Sequence, residues 1–239
     1  TGKKYSEGTY KYGKVVGLWT EWYENGQKAW EGTYKNGKED GLWTFWYVNG
    51  KKESEGTFKD GKKDGLWTWW HKNGQNESEG TFKDGKKDGL WTEWFENGKK
   101  SSEATYKDDV LNGKYTKWYE NRRKKEGTYK DGKKDGIWTY WYNYRSYDLD
   151  KERQKKEERT YKVGKRVGKS VTYWYKTGKK KYEGTYKNEK KDGLWAFWYV
   201  NGKKEKEGTY KNGKKIIRRS KLKKIKVAMN VPTLHLPYG

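Results

Sequence analysis

The sequence predicts an all-β fold: an elongated single-layer antiparallel β-meander of about eight and a half tandem hairpin repeats, each about 24 residues long. Three observations predict it. The triplet Glu-Gly-Thr begins at Glu7, Glu31, Glu55, Glu79, Glu126, Glu183 and Glu207, with altered versions at Glu103 and Glu158. Two short segments rich in Trp, Tyr, Phe and Thr follow in every copy, and these residues suit a pleated surface. Turn dipeptides separate the segments.

The copy from Glu55 to Gly74 is the clearest. Its first strand is Glu-Gly-Thr-Phe-Lys and its second is Leu-Trp-Thr-Trp-Trp. The outer joint is Asn-Gly, as in Asn25-Gly26 and Asn49-Gly50, a dipeptide that fits a type I′ hairpin turn. The inner joint has two turn dipeptides, Asp60-Gly61 and Asp64-Gly65. A strand glycine lets another group approach the backbone, so a Trp on the paired strand is expected to lie over Gly32, Gly56 and Gly80.

Alternation in the second strand puts Leu66, Thr68 and Trp70 on one face and Trp67, Trp69 and His71 on the other. The first face varies least from copy to copy. It is therefore expected to be the packed side, with Trp22, Trp46, Trp70, Trp94, Trp118, Trp141, Trp174 and Trp198 as the structural tryptophans resting on neighbours and strand glycines. The second face is expected to be partly open.

Here the spacing of Glu55-Gly56-Thr57-Phe58-Lys59-Asp60-Gly61-Lys62-Lys63-Asp64-Gly65 resembles the MORN repeat family, whose unit runs Tyr-x-Gly-x-Tyr/Trp-x-x-Gly-x-x-His-Gly-x-Gly. Asp64 stands where the family often has His, and Trp67 where it often has a second Gly. These departures resemble a variant found in bacterial antitoxin-labelled proteins, protists and large DNA viruses. The resemblance covers roughly residues 5 to 213. It implies a non-catalytic scaffold that binds other proteins, and it also implies contact with phosphoinositide headgroups. Fold alone does not assign the function.

The rest of the chain departs from the pattern in four places. In the fifth copy Ala104 replaces Gly, Lys114-Tyr115 replaces Leu-Trp, and Asn121-Arg122 replaces the outer turn. After Tyr142 an insertion lies within Asn143 to Glu157; a protruding loop is expected, with Tyr144, Arg145, Tyr147 and Arg153 as candidate partner-binding residues, types enriched at hot spots. In the seventh copy Arg159 replaces Gly, and an additional residue before Trp174 suggests a bulge. Residues 1–213 read as the repeat array and 214–239 as a basic C-terminal cap or binding tail.

Net charge is +24, from 57 Lys and Arg against 33 Asp and Glu. Mean hydropathy is −1.51, but the 16 Trp and 22 Tyr argue against disorder. Lysines at the joints, including Lys62, Lys63, Lys86, Lys87, Lys133 and Lys134, are expected to form a stripe along an edge. With Arg218, Arg219, Lys223 and Lys224 they are candidates for an anionic surface. The alternative reading is that they keep an aromatic sheet soluble and block edge pairing.

Much chemistry is absent from the sequence. There is no cysteine, so no disulfide or thiolate. His71 occupies the place of Tyr23, Tyr47 and Phe95, and His235 stands alone. No Ser-His-Asp set, zinc motif or phosphate loop occurs. Neither an enzyme nor a cofactor is expected. The expected partner is a protein, within a large assembly such as a cytoskeletal structure or a virus particle. The alternatives are an anionic lipid or carbohydrate surface, or a bacterial antitoxin role; nucleic acid is disfavoured because the aromatics are committed to packing. No apolar run long enough to span a membrane and no signal peptide is visible, and an intracellular site or one within an assembly is expected. The chain begins at Thr1, so a preceding segment is expected.

Overall fold

A computed structural model of the chain describes residues 4–120, 124–142 and 154–217. Among these, nineteen strands run from Ser6–Lys11 to Lys214–Ile216, and no helix occurs. Each strand pairs antiparallel with its neighbours in sequence, so the whole is one open meander. Substantial contacts between elements run only along this order, which makes the fold a single-layer array with no central core. The Lys214–Ile216 strand pairs with Lys204–Lys211, so the first residues of the basic C-terminal segment extend the sheet.

The third unit shows how local chemistry builds the hairpin. Its strands are Lys52–Lys59 and Lys62–Trp70. Asp60 and Gly61 both adopt positive φ, 50° and 81°, the conformation of a type I′ turn. Every described inner joint repeats this pair, from Tyr12-Gly13 to Asn212-Gly213. The type I′ turn thus sits at the inner joint, not at the outer Asn-Gly. In the outer turns only the glycine has positive φ, as at Gly50, whose N–H donates to Tyr47 O at 2.8 Å while Asn49 Oδ1 accepts Lys51 N–H at 3.1 Å. A four-residue link leaves Asn in the right-handed region and needs Gly only at its end.

Asp64-Gly65 is not a turn either. It lies inside the second strand at a register shift: Thr57 faces Asp64 but Gly56 faces Trp67. Gly65, at φ 76°, absorbs the extra residues as a bulge. The hydroxyl of Thr57 donates to Asp64 O across this bulge. The same bond joins Thr33 to Asp40, Thr81 to Asp88, Thr128 to Asp135 and Thr185 to Asp192, giving the threonine of five of the seven Glu-Gly-Thr triplets a structural task.

The packed face is the opposite of the one read from the sequence. Trp67 is 1% exposed, and Trp43, Trp91, Trp138 and Trp195 are buried likewise. Leu66 is 55% exposed, as are its counterparts Leu42, Leu90 and Leu194 in similar measure. Trp22, Trp46, Trp70, Trp94, Trp118, Trp141, Trp174 and Trp198 are only half-buried, and none of them covers a strand glycine. The reason is register. Trp67 is directly opposite Gly56, and a Cβ added there would lie 2.3 Å from the indole. Trp43 covers Gly32 and Trp91 covers Gly80 in the same way. The indole N–H of Trp67 then donates to Thr57 O at 2.9 Å, so the buried ring leaves no polar atom unpaired.

Candidate interaction surface

The glycine-covering tryptophans of the regular units gather aromatic rings on one face. Phe58 meets Trp67 edge-on at 5.0 Å, Trp69 stacks beside Trp67 at 5.6 Å, and Phe82 meets Trp91 edge-on at 5.1 Å. These are favourable geometries for ring quadrupoles. Trp69, Phe58 and Phe82 remain half-exposed, so the face has an apolar outer surface.

The paired lysines of the joints divide between this face and the sheet edge. Lys62, Lys86 and Lys133 are exposed. Two of these first lysines lie beside a turn glycine of the following unit, Lys62 at Gly85 and Lys133 at Gly164. Lys63, Lys87 and Lys134 instead fold over the rings, with Nζ at 4.1, 3.9 and 4.2 Å from the centroids of Trp67, Trp91 and Trp138. This is cation–π geometry. Burial, with Lys87 nearby, lowers the Lys63 pKa; burial also lowers that of Lys134, Tyr161 opposing and Lys125 and Arg159 adding to the effect. The expected stripe is therefore two rows, one solvated and one embedded among aromatics.

The opposite face sets a ladder of polar side-chain bonds beside the exposed leucines. Lys52 bonds Glu55 at 2.5 Å, and Glu55 accepts from Thr44 at 3.1 Å. Lys52 also lies 5.7 Å from the Trp70 ring, and Lys28 lies 5.6 Å from that of Trp46. Trp46 and Trp70 thus act as platforms beneath Lys–Glu pairs. The outer edge is laced by side chains that reach the next unit: Tyr23 and Tyr47 hydroxyls donate to Trp46 O and Trp70 O at 2.6 and 2.7 Å. His71 Nε2 stands 3.2 Å from Trp94 O, doing the work of those tyrosines.

The fifth and seventh units keep the strand path and change its filling. In the fifth, Tyr115 faces Ala104, which is buried. Burial, with Tyr129 close by, pushes the Tyr115 phenol up to about 12. In the seventh, Ser170 occupies the tryptophan position and Arg159 the glycine position, and the two face each other. Glu157, only 6% exposed, accepts from Arg159 Nη2 at 2.6 Å and from Arg166 Nη2 at 3.0 Å. The Arg159 guanidinium lies 5.0 Å from the Tyr140 ring and that of Arg166 3.9 Å from the Tyr186 ring. The additional residue of this unit is not before Trp174. It enlarges the outer turn, where Trp174 N–H reaches Lys179 O at 2.7 Å and its indole N–H donates to Trp198 O at 3.0 Å.

The insertion residues Tyr144, Arg145, Tyr147 and Arg153 and the basic residues Arg218, Arg219, Lys223 and Lys224 lie outside the described residues. Sequence reasoning missed Glu157, Arg159 and Arg166 as a group. A signal was present: Arg at a glycine position coincides with Ser at a tryptophan position eleven residues on, as with Gly56 and Trp67.

The model of the MORN repeat variant matches residues 15–36, 39–60, 63–84, 87–108, 169–188 and 191–212, more than half of the chain. The chain belongs to the MORN repeat variant family. MORN repeats are generally structural repeats that bind proteins or membranes, and the family is typically non-catalytic. The matches skip residues 109–168, where the described strands nevertheless pair in the same order. No curated protein matches the chain. Among the described residues no helix is long and apolar enough to cross a membrane.

Proposed function

We propose that this MORN protein is a non-catalytic scaffold whose aromatic face holds a partner protein inside a larger assembly, such as a cytoskeletal structure or virus particle. The observation that carries this reading is the half-exposed row of Phe58, Trp69 and Phe82 interleaved with Lys63 and Lys87. An apolar, aromatic, cation-bearing strip repeated along a rigid sheet suits a protein contact, where aromatics anchor and charges steer. The exposed Lys62, Lys86 and Lys133 row favours a second reading, attraction to an anionic lipid surface. Tagged full-length chain captured from its native source, followed by lysine cross-linking, separates the two. A stoichiometric protein cross-linked to Lys63 or Lys87 supports the scaffold. Co-sedimentation with anionic vesicles, and no such protein, supports the lipid reading.

A further inference from the structure

Where the regular units present an indole over a glycine, the seventh presents two guanidiniums. The ring contacts of the aromatic face pass from Tyr129 to Trp138 and on to Tyr161, and resume from Tyr182 and Tyr186 at Trp195. Arg159 and Arg166 occupy the gap. Arg159 stands in register with Trp138 on one side and Ser170 on the other, and Arg166 faces Tyr161. Both side chains are partly exposed, at 35% and 20%.

The charges do not balance. Glu157 accepts from both arginines, but the Nε of each is buried and has no partner among the described residues. Lys134 lies on the same face, its Nζ 3.0 Å from the Tyr140 hydroxyl and 5.0 Å from the Tyr161 ring. Lys125 pairs in register with Tyr140. Two arginines therefore share one carboxylate that is already engaged on both oxygens, with Lys134 as a third cation on the same face. Guanidinium planes held on aromatic rings are pre-organised for a further carboxylate at little entropic cost.

We propose that the aromatic face between Trp138 and Tyr186 docks an acidic, extended segment of a partner protein, its carboxylates meeting Arg159, Arg166 and Lys134. Charge complementarity selects this occupant, and the flanking rings accept its intervening side chains. The third and fourth units differ from this patch, because each lays one lysine, Lys63 or Lys87, over its glycine-covering indole and has no arginine there. The site therefore gives a repetitive surface one place of defined address. This inference rests on the scaffold reading and names the chemistry of its partner.

The test uses a fluorescein-labelled ten-residue peptide alternating Glu and Tyr, its Gln-for-Glu counterpart, and phosphatidylserine vesicles. The Arg159→Gly, Ser170→Trp double variant restores the filling of a regular unit, and circular dichroism checks its fold. Arg159→Met, which keeps the stem and removes the charge, serves if the double variant does not fold. The acidic peptide is expected to bind the full chain, to weaken with salt, and to lose about tenfold or more in affinity in either variant while Lys62→Met changes it by less than about twofold. Equal binding by chain and variants, equal binding of the Gln peptide, or no binding overturns the inference. So does vesicle binding that is lost in the same variants, since the occupant is then a membrane. Capture of the native partner by the double variant at undiminished yield refutes this site and leaves the scaffold reading standing. Failure of both chain and variant to capture any partner removes the scaffold reading itself.

Discussion

The third and seventh units follow the same backbone path with inverted contents. In the third, a large residue lies over none: Trp67 covers Gly56. In the seventh, a small residue lies beside a long one: Ser170 faces Arg159. The fifth is intermediate, with Tyr115 opposite Ala104. As the upper residue shrinks, the lower one grows, so the two positions behave as one slot of roughly constant volume. The slot accepts an apolar or a charged filling, provided that the charge finds a partner. In the seventh unit that partner is Glu157, standing where Ser54 stands in the third, in register with the next strand's Thr172 as Ser54 is with Trp69. The lesson is that the array tolerates local change of chemistry because each unit contacts only its neighbours.

This comparison breaks most directly at the indole. Trp67→Ala is expected to cost about 3–5 kcal/mol in urea unfolding, since it removes a buried ring and its hydrogen bond. Trp70→Ala is expected to cost well under half of that. Equal losses would mean that the two faces share the packing. The counter-charge of the seventh unit comes next. Glu157→Ala should cost about 2–3 kcal/mol, discounted for the partial exposure of both arginines, and Arg159→Met on top of it should restore part of the loss. If the double variant is no better than the single, the buried ion pair is not what the slot requires.

Gly56→Ala sharpens the volume argument. The new Cβ meets the ring of the buried Trp67 at 2.3 Å, so about 1–3 kcal/mol is expected. Pairing it with Trp67→Tyr, the combination of the fifth unit, should recover stability. A simple sum of the two losses would refute the shared slot.

The smallest effect concerns acid. The hydrogen bond from Lys28 holds the Glu31 carboxyl below its ordinary value, and Lys180 does the same for Glu183, with burial opposing both. A folded pKa below the unfolded one stabilises above the unfolded value, about 4.5, and that contribution is lost as pH falls through the folded pKa. The Glu31→Gln, Glu183→Gln variant should therefore show a shallower fall in melting temperature below pH 4.5 than the unaltered chain. These groups are partly exposed, so the difference should shrink at high salt.

The repeat, its period, the two-strand unit and the open meander were legible in the sequence. They follow from local signals: Glu-Gly-Thr at a fixed period, β-forming aromatics, and glycines at turns that need positive φ. The family was legible for the same reason. Which face is packed was not read correctly, although the parity held the answer. Counted back from the Asp60-Gly61 turn, Gly56 falls opposite Gly65, which alternates with Trp67 rather than with Trp70. Uniformity from copy to copy pointed to the wrong face, because Leu66, Thr68 and Trp70 recur to support a ladder of Lys–Glu–Thr bonds, not a core.

Two matters only the tertiary structure decided. Both adjacent lysines of a joint look alike in sequence, but strand alternation sends Lys62 to solvent and Lys63 onto the Trp67 ring. Glu157, Arg159 and Arg166 are spread over ten residues; the sequence marks the replaced filling at Arg159 and Ser170 but not that Glu157 and Arg166 join it. They meet because the hairpin folds Arg166 back against Tyr161 and the bulge shifts Ser170 opposite Arg159. Periodicity is a property of the chain and can be read along it. Cross-strand registry is a property of paired chains, set by bulges whose size the sequence does not state, and it determines which side chain fills the space that another leaves.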